Sequence, residues 1–321
     1  MKTALVLGAT GGVGGETARA LIAHGWQVRG LSRKPRRGDG IDWRVGDALD
    51  RAAVLAAAEG VDAIVHAVNP PGYRDWDRLV LPMLDNSIAA ALANDARLAL
   101  PGTIYNYNPA TDPVARPDSV QQPITRKGGI RRAMEQRLRD TLGLRAVVLR
   151  AGDYFGPRPG NSWLSQGMVT PGKPVRSIMV PGRKGVGHAW AYLPDVGETF
   201  ARLLDREGDL PAFARFHFAG YWDAAGDGFA RAVARAAGNP QARIWRMPWA
   251  LLPLVGLFNA TMHEMVEMRG FWERPLRLDN AALVAAIGEE PHTPLDIALT
   301  TTLGALGCLA PQPLMVSPAS A

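Results

Sequence analysis

The chain has 321 residues, 47% of them hydrophobic, and a formal net charge of +6. This length predicts one large α/β domain with a second lobe. The single cysteine, Cys308, excludes an internal disulfide and a cysteine-rich metal site and favours a reducing, cytoplasmic compartment. Much of the basic excess lies between Arg29 and Arg37, and such a cluster favours a small anion over nucleic acid as the partner.

The first predicted elements are a strand, a glycine turn and a helix. The apolar run TALVL leads into LGATGGVGG at residues 7–15, after which Ala18, Leu21 and Ile22 recur at helical spacing. Glycines at this spacing allow a tight turn, a close approach of backbone N–H groups to a pyrophosphate, and packing of the helix on its strand. A plain strand-to-helix turn is the alternative. The predicted cofactor contacts in this turn are Gly8, Thr10, Gly11, Gly12, Val13 and Gly14.

Strands and helices then alternate along the chain. A second strand from Trp26 to Leu31 completes a βαβ unit. The following elements are predicted at 41–47 (strand), 51–60 (helix), 63–68 (strand), 75–94 (helix), 99–107 (strand), 127–142 (helix) and 145–151 (strand). This alternation predicts a doubly wound parallel sheet of the Rossmann type.

The later part of the chain predicts a smaller C-terminal lobe that would contact the substrate. Residues 108–123 carry four prolines and are expected to cross the surface near the site. Beyond Gly156 the chain is rich in Gly and Pro, and regular patterns resume near 188. The predicted division is 1–152 with 186–219 for the cofactor domain, 153–185 with 220–308 for the substrate lobe, and 309–321 for a loose tail.

A membrane span is not expected, because no segment reaches the ~18 to 20 apolar residues that a span needs. The nearest approach, at 247–258, is interrupted by two prolines and is expected to be a helix of the second lobe. The opening MKTALVLG lacks the long apolar region of a signal peptide.

The end of the second strand predicts which dinucleotide binds. An acid at this place would hold a ribose 2′-hydroxyl, whereas arginine would accept a 2′-phosphate. The chain has Ser32, Arg33 and Lys34 here and no acid until Asp39. NADP is therefore favoured over NAD, and a solvated basic loop without a ligand is the alternative.

Six segments together resemble the extended and atypical short-chain dehydrogenase/reductases, specifically the NAD-dependent epimerase/dehydratase family. They are the glycine turn, Gly46-Asp47, HAVNPP at 66–71, PGTIYNYNP at 101–109, RAGDYFGP at 150–157 and HAWAYLPDV at 188–196. The resemblance implies that Asp47, with Ala48 beside it, contacts adenine and that Ala67, Val68 and Asn69 line the adenosine ribose.

The resemblance also implies a catalytic Tyr-x-x-x-Lys pair, and the chain lacks it. None of the six tyrosines is followed four residues later by a lysine. Alignment on Glu135 puts Lys127 at the tyrosine position and Arg131 at the lysine position. Lys127 would act as an acid or base only if its ammonium were desolvated or placed beside other cations. The alternatives are a fixed cation for the ribose or a substrate carboxylate, and a solvated helix face.

Other candidates lie near predicted strand ends, where open α/β sheets bind ligands. Pro101 stands where the family usually has Ser or Thr, and Thr103, on the same strand face, is the expected substitute. Tyr105, Asp153 and Tyr154 are further candidates, with packing or capping as the alternative for each. No metal is expected, since His263 and Glu267 lack an evident third ligand; His188 and Asp195 are expected to be structural.

These features predict an NADP-dependent oxidoreductase or epimerase-like enzyme that transfers hydride to or from a small organic substrate. The alternative is a catalytically silent protein that senses the NADP/NADPH ratio. The missing Tyr and Lys favour the alternative, and the nicotinamide-side pocket implied by the resemblance favours the enzyme.

Overall fold

The computed structural model describes residues 1–70, 75–160, 162–250, 252 and 266–309. The predicted tail from residue 310 onward, and His263, for which no metal-binding role is expected, lie outside the described residues. The strands are β1 (Thr3–Leu7), β2 (Gln27–Ser32), β3 (Ile41–Val45), β4 (Ala63–His66), β5 (Arg97–Thr103), β6 (Val114–Ala115), β7 (Ala146–Ala151), β8 (Asp153–Phe155), β9 (Ser177–Val180), β10 (His188–Tyr192), β11 (Phe213–Phe218), β12 (Tyr221–Asp223), β13 (Arg243–Arg246) and β14 (Arg277–Leu278).

Helices connect these strands. They are α1 (Gly12–Ala23), α2 (Arg51–Ala57), α3 (Trp76–Ala93), α4 (Arg126–Asp140), α5 (Leu193–Asp205), α6 (Gly228–Ala236), α7 (Gly270–Glu273), α8 (Ala281–Ile287) and α9 (Leu295–Ala305). Single turns of other helix types lie at Ile104–Asn106, Leu164–Met168 and Glu207–Asp209.

The central sheet has seven parallel strands in the order β11-β7-β5-β4-β1-β2-β3. Alternate residues of each strand point to opposite faces, so the two faces bury different sets of side chains. Val6 and Val65 pack with α1 and α5, whereas Leu5 and Ile64 pack with α2 and α3. The predicted fold class, a doubly wound Rossmann-type sheet, is confirmed.

A further apolar core lies among residues 155–308 and is built mainly on small sheets. The three-stranded sheet β12-β10-β8 and the pair β13-β9 contribute to it, together with α6 and α9. Stacked rings are prominent: Trp190 lies on Phe229 with ring centroids 4.0 Å apart. Asp195 of α5 accepts hydrogen bonds from the backbone N–H and the hydroxyl of Thr293, and so connects the last part of the described chain to α5.

The segment at 108–123 is mostly exposed or half-buried, as predicted for a surface crossing, but it is not without regular structure. It contains β6, which pairs with β14 from the far end of the chain, and Ala115 is fully buried. The strand predicted at 99–107 also ends earlier, at Thr103, because a helical turn begins at Ile104. The Thr103 hydroxyl oxygen accepts the N–H of Tyr105 at 3.3 Å and thereby starts that turn.

Candidate functional site

Two cavities lie at the carboxyl edge of the central sheet, on either side of the glycine turn. The chain runs from β1 to β2 and β3 in one direction and from β4 outward in the other, so the sheet has a switch point between β1 and β4. Open α/β sheets bind ligands at such a point. The main cavity has a volume of about 310 Å³. It brings together these predicted site residues: Gly11, Gly12, Val13, Ala67, Asn69, Thr103, Tyr105, Lys127, Arg131, Asp153 and Tyr154.

The side cavity lies at the end of β2. The predicted residues on its wall are Gly8, Thr10, Ser32, Arg33, Lys34, Asp47 and Ala48, and Arg36 joins them. Asp47 accepts the N–H of Leu49 at 2.9 Å, so one of its oxygens serves the local turn. Gly14 and Val68 were also predicted to contact the cofactor, and neither belongs to the walls of these two cavities.

The glycine turn has no space for a side chain at Gly8 or at Gly14. A Cβ at Gly8, whose φ is +90°, would lie 2.5 Å from the carbonyl oxygen of Ala67. A Cβ at Gly14 would lie 2.4 Å from the carbonyl oxygen of Gly8, which is why Gly14 packs inside the turn. Helix α1 begins here with no side-chain cap and no acid in its first turn. Such a helix end attracts anions, and the turn therefore fits the pyrophosphate of a dinucleotide.

Helix α4 presents three charged residues to the protein interior, one turn apart. Thr125 caps its N-terminus by accepting the N–H of Gly128 at 3.0 Å. Lys127, Arg131 and Glu135 follow at a spacing of four residues, which places them on one helix face, and their exposed fractions are 1%, 8% and 3%. The alternative of a solvated helix face is therefore wrong for Lys127 and Arg131.

Each buried cation of α4 has an identified contact. The Lys127 ammonium lies 3.2 Å from a carboxylate oxygen of Glu267. Arg131 donates to the side-chain oxygen of Asn69 at 3.2 Å, and its guanidinium lies 5.0 Å from the ring centre of Trp76. These contacts fix two positive charges on one wall of the main cavity.

Glu135 anchors α4 to the sheet through a buried polar network. Its carboxylate accepts from Arg150 of β7 at 2.9 Å, and Arg150 also donates to the ring nitrogen of His217 on β11 at 3.1 Å. Tyr107 contacts the same His217 nitrogen at 2.7 Å. Burial is the largest effect on the pKa of Arg150 and lowers it, but the bonds to Glu135 outweigh burial and leave that pKa raised. The network holds α4 and the segment after β5 in one position.

Two tyrosines line the main cavity in different ways. Tyr154 donates its hydroxyl to the carbonyl of Gly102 at 3.2 Å, and burial raises its pKa. Tyr105 donates to a carboxylate oxygen of Asp153 at 3.5 Å. The other oxygen of Asp153 lies 2.7 Å from Nε2 of His188, so a residue expected to be structural also contacts the cavity wall.

Sequence reasoning missed His66, the last residue of β4. It lines the main cavity and is 2% exposed, and its Nδ1 lies 2.7 Å from the hydroxyl of Ser87. Its Nε2 has no partner among the described residues. Burial, reinforced by the charge of Arg131, lowers the pKa of His66 to about 3. The residue stands directly before Ala67 in HAVNPP, but neither periodicity nor spacing indicated its role.

The other walls come from segments with weak sequence signals. Trp163, Gln166 and Met268 line the main cavity from the far side of the sheet edge.

Over the described ranges, no group of three or more His, Cys, Asp and Glu side chains is arranged to hold a metal. Within the same ranges, every helix is too short or too polar to cross a bilayer.

The chain matches a family model described as NAD(P)H-binding over residues 8–167. Sterol demethylase protein B of Methylococcus capsulatus is 37% identical over 81 residues, which are 24% of this chain and 25% of that protein. A (4-alkanoyl-5-oxo-2,5-dihydrofuran-3-yl)methyl phosphate reductase of Streptomyces griseus is 32% identical over 197 residues, which are 57% of this chain and 64% of that one. The matches thus span a quarter to just under two thirds of these relatives.

Whole-chain similarity appears at the level of the fold. The structure of UDP-glucose 4-epimerase from Brucella ovis in complex with NAD superposes with a TM-score of 0.75 at 15% identity, covering 96% of this chain and 99% of that one. Over residues 8–167 the chain is therefore similar to the NAD(P)H-binding family, and as a whole it has the fold of an NAD-dependent epimerase.

Proposed function

We propose that this chain binds NADP(H) and uses it for hydride transfer to or from a small organic substrate. The observation that carries the proposal is the main cavity, which extends from the glycine turn to the buried cations of α4. The turn fits a pyrophosphate at one end, and fixed polar groups surround the space at the other. The similarity to a protein named as a reductase supports an oxidoreductase. The buried free thiol of Cys308 suits the cytoplasmic location that is expected from the sequence.

The residues that would hold the cofactor divide between the two cavities. Gly11, Gly12 and Val13 would face the pyrophosphate from the main cavity, and Ser32 and Arg33 would face the adenosine end from the side cavity. When bound, the nicotinamide supplies or accepts the hydride. The protein's part is to orient the substrate, to exclude water and to manage the proton.

The charge of the side cavity supports the proposed preference for NADP. Arg33, Lys34 and Arg36 line it, and a 2′-phosphate would place its oxygens among these cations. Removing one charge-assisted contact costs about 1.5 to 3 kcal/mol, or roughly 10- to 150-fold in affinity. We expect Arg33→Ala to lose this much NADPH affinity while its NADH affinity stays unchanged.

The matched control for this test is Arg37→Ala, because Arg37 is a nearby exposed arginine outside the side-cavity wall. Fluorescence titration of each variant with NADPH and NADH gives both affinities. If wild type binds both cofactors equally, or Arg33→Ala keeps the wild-type preference, the NADP assignment is wrong.

For Lys127 we propose the role of a fixed cation. The ion pair with Glu267 keeps a negative charge 3.2 Å from its ammonium, which suits a permanent positive charge more than a group that gives up protons. Lys127→Arg should then keep most turnover, whereas Lys127→Ala weakens ligand binding. A proton-transferring lysine would instead lose about 10²- to 10⁴-fold in turnover in both variants with NADPH affinity intact.

A redox sensor is the second candidate function, favoured by the absence of the Tyr-x-x-x-Lys pair. The two candidates differ in turnover. We expect wild type to oxidise NADPH with at least one member of a panel of aldehydes, ketones and enones, or to reduce NADP with the matching alcohols. Tight NADPH binding with no turnover across the panel would favour the sensor.

A further inference from the structure

A hydrogen-bonded acid and base that the resemblance to known enzymes did not indicate lie at the wall of the main cavity, with the acid on the wall and the base behind it. Asp153 is the first residue of β8 and His188 the first of β10, and these strands pair in parallel. The Asp153 carboxylate lies 2.7 Å from Nε2 of His188 through one oxygen and accepts from Tyr105 at 3.5 Å through the other. The carboxylate side chain is 12% exposed and lies on the cavity wall.

The imidazole behind Asp153 is held in one orientation. The ring of His188 stacks on Trp272 with centroids 3.6 Å apart and planes 14° apart, and Trp190 contacts its edge at 5.2 Å. Because Nε2 faces a carboxylate, it carries the hydrogen of this bond. His188 is 5% exposed, so the pair communicates with the cavity through Asp153.

Two of the other ionisable groups on this wall are engaged in different ways. Tyr154 donates its hydroxyl to the Gly102 carbonyl. Lys127 forms an ion pair with Glu267. Asp153 differs because it lies on the cavity wall with Oδ1 accepting from a tyrosine hydroxyl, while its Oδ2 contacts His188 behind the wall.

We propose that Asp153, supported by His188 and adjoined by Tyr105, is the acid–base group of this site in place of the missing Tyr-x-x-x-Lys pair. The inference rests on the proposed oxidoreductase function. In alcohol oxidation the substrate O–H bond breaks and its proton goes to Oδ1 of Asp153, either directly or by way of the Tyr105 hydroxyl, which passes on its own proton and takes the substrate's. The electron pair of that O–H bond forms the carbonyl π bond as the hydride leaves from carbon.

The hydride and its two electrons are taken up by the oxidised nicotinamide named in the proposed function. Asp153 then releases its proton to water, and the sequence reverses for carbonyl reduction. Other groups that face the pair are Tyr154 and Arg131 on the Asp153 side, and Asp223, which lies opposite His188 on β12. The proton-transfer role belongs to Asp153 because, among these groups, it alone joins His188 to the cavity.

The test combines turnover with a spectroscopic readout that needs no cofactor. Asp153→Asn should lower turnover by about 10²- to 10⁴-fold and, in the alcohol-oxidation direction where Asp153 acts as the base, remove the acid limb of the pH–rate profile, with NADPH affinity and thermal stability close to wild type. His188→Gln, which can still donate to Asp153, should lose less. Asp140→Asn, the same substitution at the exposed end of α4, is the control and should match wild type.

The spectroscopic readout is the Nε2–H signal of His188 in protein labelled with ¹⁵N at histidine, assigned from its absence in His188→Gln. We expect a slowly exchanging, downfield signal in wild type that shifts or disappears in Asp153→Asn. Folded Asp153→Asn with wild-type turnover and pH profile would overturn the inference while leaving the proposed function intact. Wild type that shows the signal but no turnover with any substrate of the panel would overturn both.

Discussion

His217 predicts a loss of stability in acid, because a second proton on its buried ring would point toward the positive charge of Arg150. Its Nδ1 faces the carbonyl of Ala115 at 3.1 Å, and its Nε2 faces the Arg150 guanidinium at 3.1 Å and the Tyr107 hydroxyl at 2.7 Å. The ring therefore donates from Nδ1 and accepts at Nε2. A proton on Nε2 would point toward the positive charge of Arg150.

The size of the effect follows from the two states of the chain. Burial, reinforced by Arg150, lowers the pKa of His217 from 6.5 to about 3. Between these values the unfolded chain binds a proton that the folded chain does not, so stability falls as pH falls through this range. From pH 7 to pH 5 the loss from this residue is about 2 kcal/mol.

Urea unfolding of wild type and His217→Gln at pH 7 and pH 5 measures this loss. The substitution removes only the part of the pH dependence of stability that comes from His217. His217→Gln keeps a side-chain oxygen that can accept from Arg150 but does not titrate. We expect the drop in the free energy of unfolding between the two pH values to be about 2 kcal/mol smaller in His217→Gln than in wild type. His292→Gln, which replaces an exposed ring, is the control and should show the wild-type drop. Equal drops in His217→Gln and wild type would refute the reasoning.

Three further substitutions test the packing around the site. Gly14→Ala places a Cβ 2.4 Å from the Gly8 carbonyl oxygen; we expect it to destabilise the fold by about 1 to 3 kcal/mol and to weaken NADPH binding in a fluorescence titration. Gly129→Ala, in α4 with no atom within 4 Å of the new Cβ, should instead raise stability by up to about 1 kcal/mol, and a lower melting temperature would contradict this. Arg150→Met leaves Glu135 buried without its cation and should cost about 3 to 5 kcal/mol in urea unfolding, with much of the loss recovered in Arg150→Met/Glu135→Leu.

Features formed by neighbouring residues were predictable from the sequence. The glycine turn joins a strand to the helix that follows it, and the strand-helix alternation fixed the sheet type, so both were confirmed. The stripe of Lys127, Arg131 and Glu135 also follows from helical spacing. Helical spacing did not show that this stripe faces the protein interior, because α4 is so rich in charged residues that its sequence resembles a solvated helix. Its burial depends on contacts with distant parts of the chain.

Contacts between distant segments were not predictable from one sequence. The partner of Lys127 lies 140 residues further along the chain, and the segment that carries it has no pattern linking it to α4. His188 and Asp153 are separated by 35 residues and come together only because β8 and β10 pair. The pairing of β6 with β14 within the mostly exposed or half-buried segment at 108–123 was likewise not predictable, since two-residue strands leave no periodic signal.

The end of β5 gives the main cavity a polarity that dictates how a molecule can lie in it. Pairing of β5 with β4 stops at Ala99. Beyond this residue, the carbonyl of Pro101 accepts a hydrogen bond from Arg131 at 3.5 Å. The carbonyl of Gly102 accepts a hydrogen bond from Tyr154 at 3.2 Å. These backbone acceptors are thus already engaged by side chains, so this wall offers a guest positive charge and donors, while the Asp153 side offers a carboxylate. A guest with carbonyl, carboxylate or phosphate oxygens at one end and hydroxyl or amine hydrogens at the other would find complementary groups at both ends in one orientation and not in the reverse.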